Sequence, residues 1–154
     1  MTSVGSLVEH AHLGTTAALV LLVAVDPTSR LRDGDGWETW LRGQQRVDRV
    51  MRRVAPPVYQ AAGVLAVAAT VVAARDHDRR AAVCRSAAAL CVGASVAVTL
   101  RVNEPVNALV RQWRPFDDPA PGWAAARARW ERSHRVRRVL AAAAGVAAVA
   151  ARRA

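Results

Sequence analysis

Residues 99–113 read TLRVNEPVNALVRQW and residues 129–140 read RWERSHRVRRVL, with RPFDDPAPG between them at 114–122. The first stretch carries an apolar helix out into Asn103, Pro105 and Asn107. The second opens a new helix with Trp130, His134 and Arg138 before turning apolar again. Steps of four place Asn103 and Asn107 on one helix face, and Trp130, His134 and Arg138 likewise on one face of the next. Pro105 has no N–H to give, and its ring clashes with the carbonyl of Arg101, so a kink and a freed acceptor are expected there. A single connection joins the two polar helix ends, which puts them at the same end of the fold.

Upstream, residues 81–100 are apolar apart from Arg85, and the helix is expected to run on to about Trp113. Before it, residues 56–74 hold nineteen residues without a charge, opened by Pro56-Pro57 and closed by the polar turn ARDHDRR at 74–80. Residues 37–54 read as a separate amphipathic helix. Trp37, Trp40, Leu41, Val47, Val50, Met51 and Val54 share one side, and Arg42, Arg46, Arg49 and Arg53 lie largely on the other. Residues 28–36 are a loop by composition. The first apolar stretch, 11–25, is stopped by Asp26-Pro27. It lacks the basic start of a secretory signal and has Glu9 in that place, so it reads as a retained helix. Downstream, Asp117 or Asp118 is available to cap the last helix, which runs from about residue 123 to 151.

The chain has 154 residues, enough for one domain covering 1–154, and is 53% hydrophobic but only 5% aromatic. All 22 basic residues are Arg, against 12 acids, for a formal charge of +10. Such a balance suits a nucleic-acid binder or a membrane protein with Arg at its ends. The Arg residues are interleaved with acids and no recognition motif is present, so no nucleic-acid partner is expected. Cys84 and Cys91 lie about 10 Å apart along one helix axis, too far for an intrachain disulfide.

A span wants about 20 apolar residues. Only the second segment comes close; the uncharged cores at 11–25 and 86–100 have fifteen residues each, and that at 139–151 has thirteen. Arg85, Arg101 and Arg138 can snorkel to lengthen the short ones. The second segment has no polar face to show to water, which argues against a soluble bundle. The expected architecture is all-α: a four-helix transmembrane bundle with an additional amphipathic helix between the first and second spans, and the lipid bilayer as its partner. Four spans place both termini and the 75–80 turn on one side and segments 26–55 and 101–138 on the other. The second side carries sixteen Arg against six, so the positive-inside rule makes it cytoplasmic in a multi-pass protein of the cell membrane.

Two E-x-x-H sequences, Glu9–His12 and Glu131–His134, are of the kind that build di-iron centres in helical bundles. Topology separates them by roughly the hydrocarbon thickness, about 30 Å, so they share no metal and no metal site is expected. His10 and His12 point to nearly opposite faces, and Glu9–His12 reads as a solvated or headgroup element. His77, between Asp76 and Asp78, reads as an exposed turn residue.

The order of apolar helix, long polar loop, apolar helix, N-x-P-x-N ending a third helix and R-W-x-x-x-H-x-x-x-R opening a fourth resembles the anthrone oxygenase-like family of small integral membrane proteins. The residues carrying the resemblance are Asn103, Pro105, Asn107, Trp113, Arg129, Trp130, His134 and Arg138, and residues 45–57 are similar to the family's polar approach to its second helix. The resemblance implies an oxygenase of an anthrone-like aromatic polyketide, a hydrophobic substrate that reacts with O2. Deprotonating the activated methylene gives an anion that O2 can attack, so no cofactor is obligatory. His134 is then the general base, with Asn103, Asn107 and an Arg stabilising the oxyanion beside Trp130. The competing reading of the same residues is structural: Asn103 and Asn107 cap a kink, His134 bonds a neighbouring helix, and Arg135, Arg137 and Arg138 meet lipid phosphates. A non-catalytic accessory or scaffold subunit is the corresponding alternative function.

Overall fold

A computed structural model describes residues 4–24 and 36–152, and every regular element among them is helical. The elements are α1 (Val4–Ala24), α2 (Trp37–Arg75), α3 (Arg79–Val98), a π-helical turn (Thr99–Asn103), α4 (Glu104–Gln112) and α5 (Trp123–Ala150). The loop expected at 28–36 falls outside the described residues except for Gly36, which precedes α2.

Helix α2 differs from the expectation of two elements. The amphipathic stretch and the second apolar segment form one helix of 39 residues that passes through Pro56 and Pro57. Both prolines and the residues four before them, Arg52 and Arg53, are exposed. The rings therefore need no room inside the bundle, and the carbonyls that lose their donors face outward, where the missing bonds cost least. The buried side of the first half is also shifted. Trp37, Trp40 and Leu41 are buried as expected, but the seam continues through Gln44 and Asp48, while Val50 and Val54 are exposed.

The break at Pro105 takes the form of a widened turn. The Glu104 N–H bonds to the Thr99 carbonyl, five residues back, so the ladder changes register just before the proline. At the other end of α3, Asp78 accepts from the Ala81 N–H at 2.9 Å. His77 takes a left-handed conformation (φ 58°) and is exposed, closing α2 in a tight turn. Gly122 does the equivalent before α5 at φ 78°, where a side chain would be strained. No side chain caps α5, so neither Asp117 nor Asp118 plays that part. Asp117 instead gives its carbonyl to Trp37 Nε1 at 3.1 Å.

α1 packs on α2 and α5, and α3 packs on the same two helices, closing a four-helix ring. The mid-section is filled by Leu19 and Val23 of α1, Tyr59 and Ala62 of α2, Ala88 and Val92 of α3, and Ala141 and Ala144 of α5. Alanine at the seams lets the backbones approach closely, as helices in lipid require. One end is closed by Ala73, Ala81 and Ala151. The opposite end is closed by tryptophan: Trp37, Trp40 and Trp130 are buried with Leu41, Val106 and Val110, and Trp113 and Trp123 pack against them.

The outer surface is apolar over much of its girth. Leu21, Val64, Val67, Val83, Leu90, Val139 and Val146 are all more than half exposed. A soluble monomer rarely shows so much contiguous apolar surface. Helix Val4–Ala24, helix Trp37–Arg75 and the continuous run Arg79–Gln112 are each long and apolar enough to cross a membrane.

The Glu9–His12 element is not solvated as expected. His12 is buried in line with Thr16, Leu19 and Val23, one seam of α1. Arg85 reaches across to Glu9 at 2.9 Å and to the Ala69 carbonyl at 3.0 Å, so its charge is paired inside the bundle.

Candidate functional site

Below the tryptophan end lies a cavity of about 690 Å³, bounded by α2, the π turn with α4, and α5. Each wall is set by a seam already described. α2 brings Gln44, Asp48 and Tyr59; the π turn and α4 bring Asn103, Glu104 and Asn107; α5 brings Trp130, His134 and Arg137. Four of the five residues singled out from the sequence, Asn103, Asn107, Trp130 and His134, line this one space. Arg138 does not: it is exposed, and its neighbour Arg137 takes the place at the wall.

The polar groups are interlocked. Trp130 Nε1 donates to Asn107 Oδ1 at 3.1 Å, and Gln44 Nε2 approaches the same oxygen at 3.4 Å. Asn103 Nδ2 donates to Ser133 Oγ at 2.8 Å, and Ser133 in turn donates to the Trp130 carbonyl at 2.7 Å. One of the two N–H groups of the Asn103 amide is thereby used within the protein. The His134 ring lies flat on the Trp130 indole, with centroids 5.0 Å apart and planes within 5°. It is buried, at 7% exposure, yet lines the cavity. Offset stacking fixes the imidazole's plane.

Tyr59 links the far wall. Its hydroxyl lies 2.9 Å from Ser95 Oγ and accepts from Arg137 at 3.3 Å, and the guanidinium sits over its ring at 6.0 Å. The Nε of Arg137 is buried without a hydrogen-bond partner among the described residues. The lining thus brings the Arg137 guanidinium and the His134 imidazole together with the amides of Gln44, Asn103 and Asn107. At the rim, Asp48 takes Arg111 at 3.2 Å and Arg52 at 3.4 Å, and Arg111 also bonds Glu104 at 2.6 Å. This network ties α4 to α2 and keeps the asparagine-bearing segment against the cavity. Gln45 does the same from beside it, donating to the carbonyls of Val110 and Trp113 at 2.9 Å each.

Gln44, Tyr59 and Ser133 are not singled out by the sequence, and Arg137 reads there as a headgroup contact rather than a site residue. Signals for two of them were present. Gln44 lies seven residues after Trp37, in phase with the buried tryptophans, and Arg137 falls on the seam that joins His134 to Ala141, Ala144 and Ala148. Among the described residues no group of three or more His, Cys, Asp or Glu is arranged to hold a metal.

Compared with known proteins, the chain matches the family described as anthrone oxygenase over residues 48–147. No curated protein and no solved structure matches it.

Proposed function

The chain belongs to the anthrone oxygenase family, and from that membership and the cavity's lining we propose that it oxidises an anthrone-like aromatic polyketide with O2 inside the membrane. The observation that carries the reading is the gathering of His134, Asn103, Asn107 and Trp130 around one cavity of about 690 Å³, within the size range of small-molecule sites. A flat tricyclic substrate fits against the stacked Trp130 and His134 rings.

The chemistry follows from the side chains present. His134 takes a proton from the methylene carbon opposite the ring ketone, and the electron pair moves onto the ketone oxygen. Arg137, held by Tyr59, sets its positive charge beside that oxygen, and the Asn107 amide N–H supports it. The electron-rich carbon then reduces O2, and the new C–O bond gives a hydroperoxide. Loss of water from it leaves the second quinone carbonyl. One oxygen atom stays in the quinone, and the other departs in water with the two methylene hydrogens. The expected stoichiometry is one O2 consumed per quinone formed, with labelled oxygen from O2 in the product. An oxygen electrode and mass spectrometry of the quinone check it, and accumulation of hydrogen peroxide in place of oxygen incorporation would refute it.

Four spans are proposed, with α5 as the fourth. Its outward residues Val139, Val146 and Val149 are exposed, and lipid would cover them. The tryptophan end then lies at the cytoplasmic face, the side to which the sequence assigns sixteen of the Arg residues. Reporter fusions after residue 154 should behave as exported, and fusions in the 30–36 segment as cytoplasmic. The opposite pattern would mean that these Arg residues serve the site rather than orientation.

A further inference from the structure

The hydrogen-bond directions around the cavity are fixed by two groups that leave no choice. An indole N–H only donates, so the atom it meets at 3.1 Å is the Asn107 oxygen. That oxygen in turn faces the nitrogen of the Gln44 amide. Gln44 Oε1 is therefore turned away from Asn107, buried and without a partner among the described residues. Across the wall, Ser133 gives its one proton to the Trp130 carbonyl and so receives from the Asn103 nitrogen. Asn103 Oδ1 is left in the same condition as Gln44 Oε1. Both residues are 1% exposed, and both line the cavity. The wall holds two acceptors, and no described side chain or backbone group supplies them with a proton.

Buried acceptors without donors are costly, and native folds seldom tolerate two in one place. A ligand hydroxyl supplies what is missing. We propose that Gln44 and Asn103 are specificity residues that read hydroxyl protons on the aromatic ligand, with Trp130 and Ser133 as positioning residues that keep both amide oxygens clear of protein donors. This rests on the cavity being the ligand site, though not on the oxidation itself. Gln44 precedes the stretch 48–147 that matches the family, so no family pattern supplies its role. A site built around such acceptors rejects an analogue that lacks the proton far more strongly than it rejects a change of size.

The test is equilibrium binding to the full-length protein in detergent, read by tryptophan quenching. The probes are 2-hydroxyanthraquinone and its 2-methoxy ether in mildly acidic buffer, where the phenol keeps its proton. Neither has a methylene to oxidise, so turnover does not enter. The phenol is expected to bind at least about tenfold tighter than the ether, the ratio that one well-made hydrogen bond supports. Gln44→Leu and Asn103→Leu should each lower that ratio, and the double variant should bring it to about one. Trp130→Phe keeps an aromatic ring but loses the donor, and should lower the ratio of the two affinities whatever it does to binding of the ether itself. Equal affinities in the unaltered protein, a comparison that needs no variant to fold, would overturn the proposal. So would a full preference retained in the double variant. Preference for the phenol without oxidation of any anthrone would count against the oxygenase reading and support this one; oxidation with equal affinities would do the reverse.

Discussion

His134→Gln is expected to lower turnover of an anthrone by about 10²–10⁴, the usual range for losing a general base, while leaving the melting temperature nearly unchanged. Glutamine keeps a planar polar group of similar reach, so contact with Trp130 and closure of the cavity survive. It cannot accept a proton from carbon. The effect should fall on kcat, because the lost interaction is made only as the proton moves. The competing structural role predicts the inverse: a buried imidazole that holds α5 in place would lose stability on substitution, with activity falling only in proportion to the folded fraction. Paired measurements of melting temperature and single-turnover oxidation separate the two. A melting temperature that falls in step with activity would remove His134 from the chemistry.

The largest loss of stability is expected at the opposite side of the cavity wall. Trp40 is 1% exposed and packs on Trp113 and Trp123, with centroids at 6.5 and 5.8 Å. With Trp37, which meets the same two rings at 5.3 and 5.7 Å, it holds α2 to both ends of the α4–α5 connection. Trp40→Ala removes a large buried ring and two aromatic pairs at once, and should cost about 3–5 kcal/mol. Trp40→Phe fills most of the space and should cost less than half of that. Denaturant titration in detergent, followed by near-ultraviolet circular dichroism, reports both values. If the alanine variant is as stable as the original, the tryptophan cluster is not what closes this end. Activity should fall with Trp40→Ala even where the fold persists, because α4 carries Asn107 into the cavity.

Much of the site was legible because helical spacing and a shared end are both visible in a sequence. Asn103, Asn107, Trp130 and His134 follow from steps of four and one short connection. Arg138 was chosen over Arg137 by the same step of four, and there the rule was too coarse. The buried seam of α5 alternates three and four, through Trp130, His134, Ala141, Ala144 and Ala148, and position 137 lies on it whereas 138 does not. Gln44 and Asp48 were hidden by chemistry rather than by spacing: in an Arg-rich helix, a glutamine and an aspartate look like its wet side, and the valines like its dry side. An exterior that is apolar over much of its girth reverses that expectation: Val50 and Val54 are exposed while Gln44 and Asp48 are buried. His12 was misjudged for the same reason. A position near a terminus and beside Glu9 suggests water, yet with Glu9 paired to Arg85 the seam of α1 stays buried as far as His12.

The widened turn at 99–103 also acts as a phase shifter. Each residue of an α-helix advances the side chain by roughly 100°, and a turn closed by a bond to the fifth residue back uses up one residue more than usual. Everything from Glu104 onward is therefore rotated by about one residue relative to the continuation of α3. The Ala88–Val92–Ser95 row of α3 and the Val106–Val110 row of α4 keep separate angular settings, although one unbroken chain of helix connects them. The lower row answers to the bundle, and the upper row answers to the cavity and the tryptophans. Deleting a single residue between 99 and 103 would turn the stretch into plain α-helix and leave both rows as they are, whereas closing it as α-helix at unchanged length would swing Asn107 by about 100° away from Trp130 without any change in its own identity.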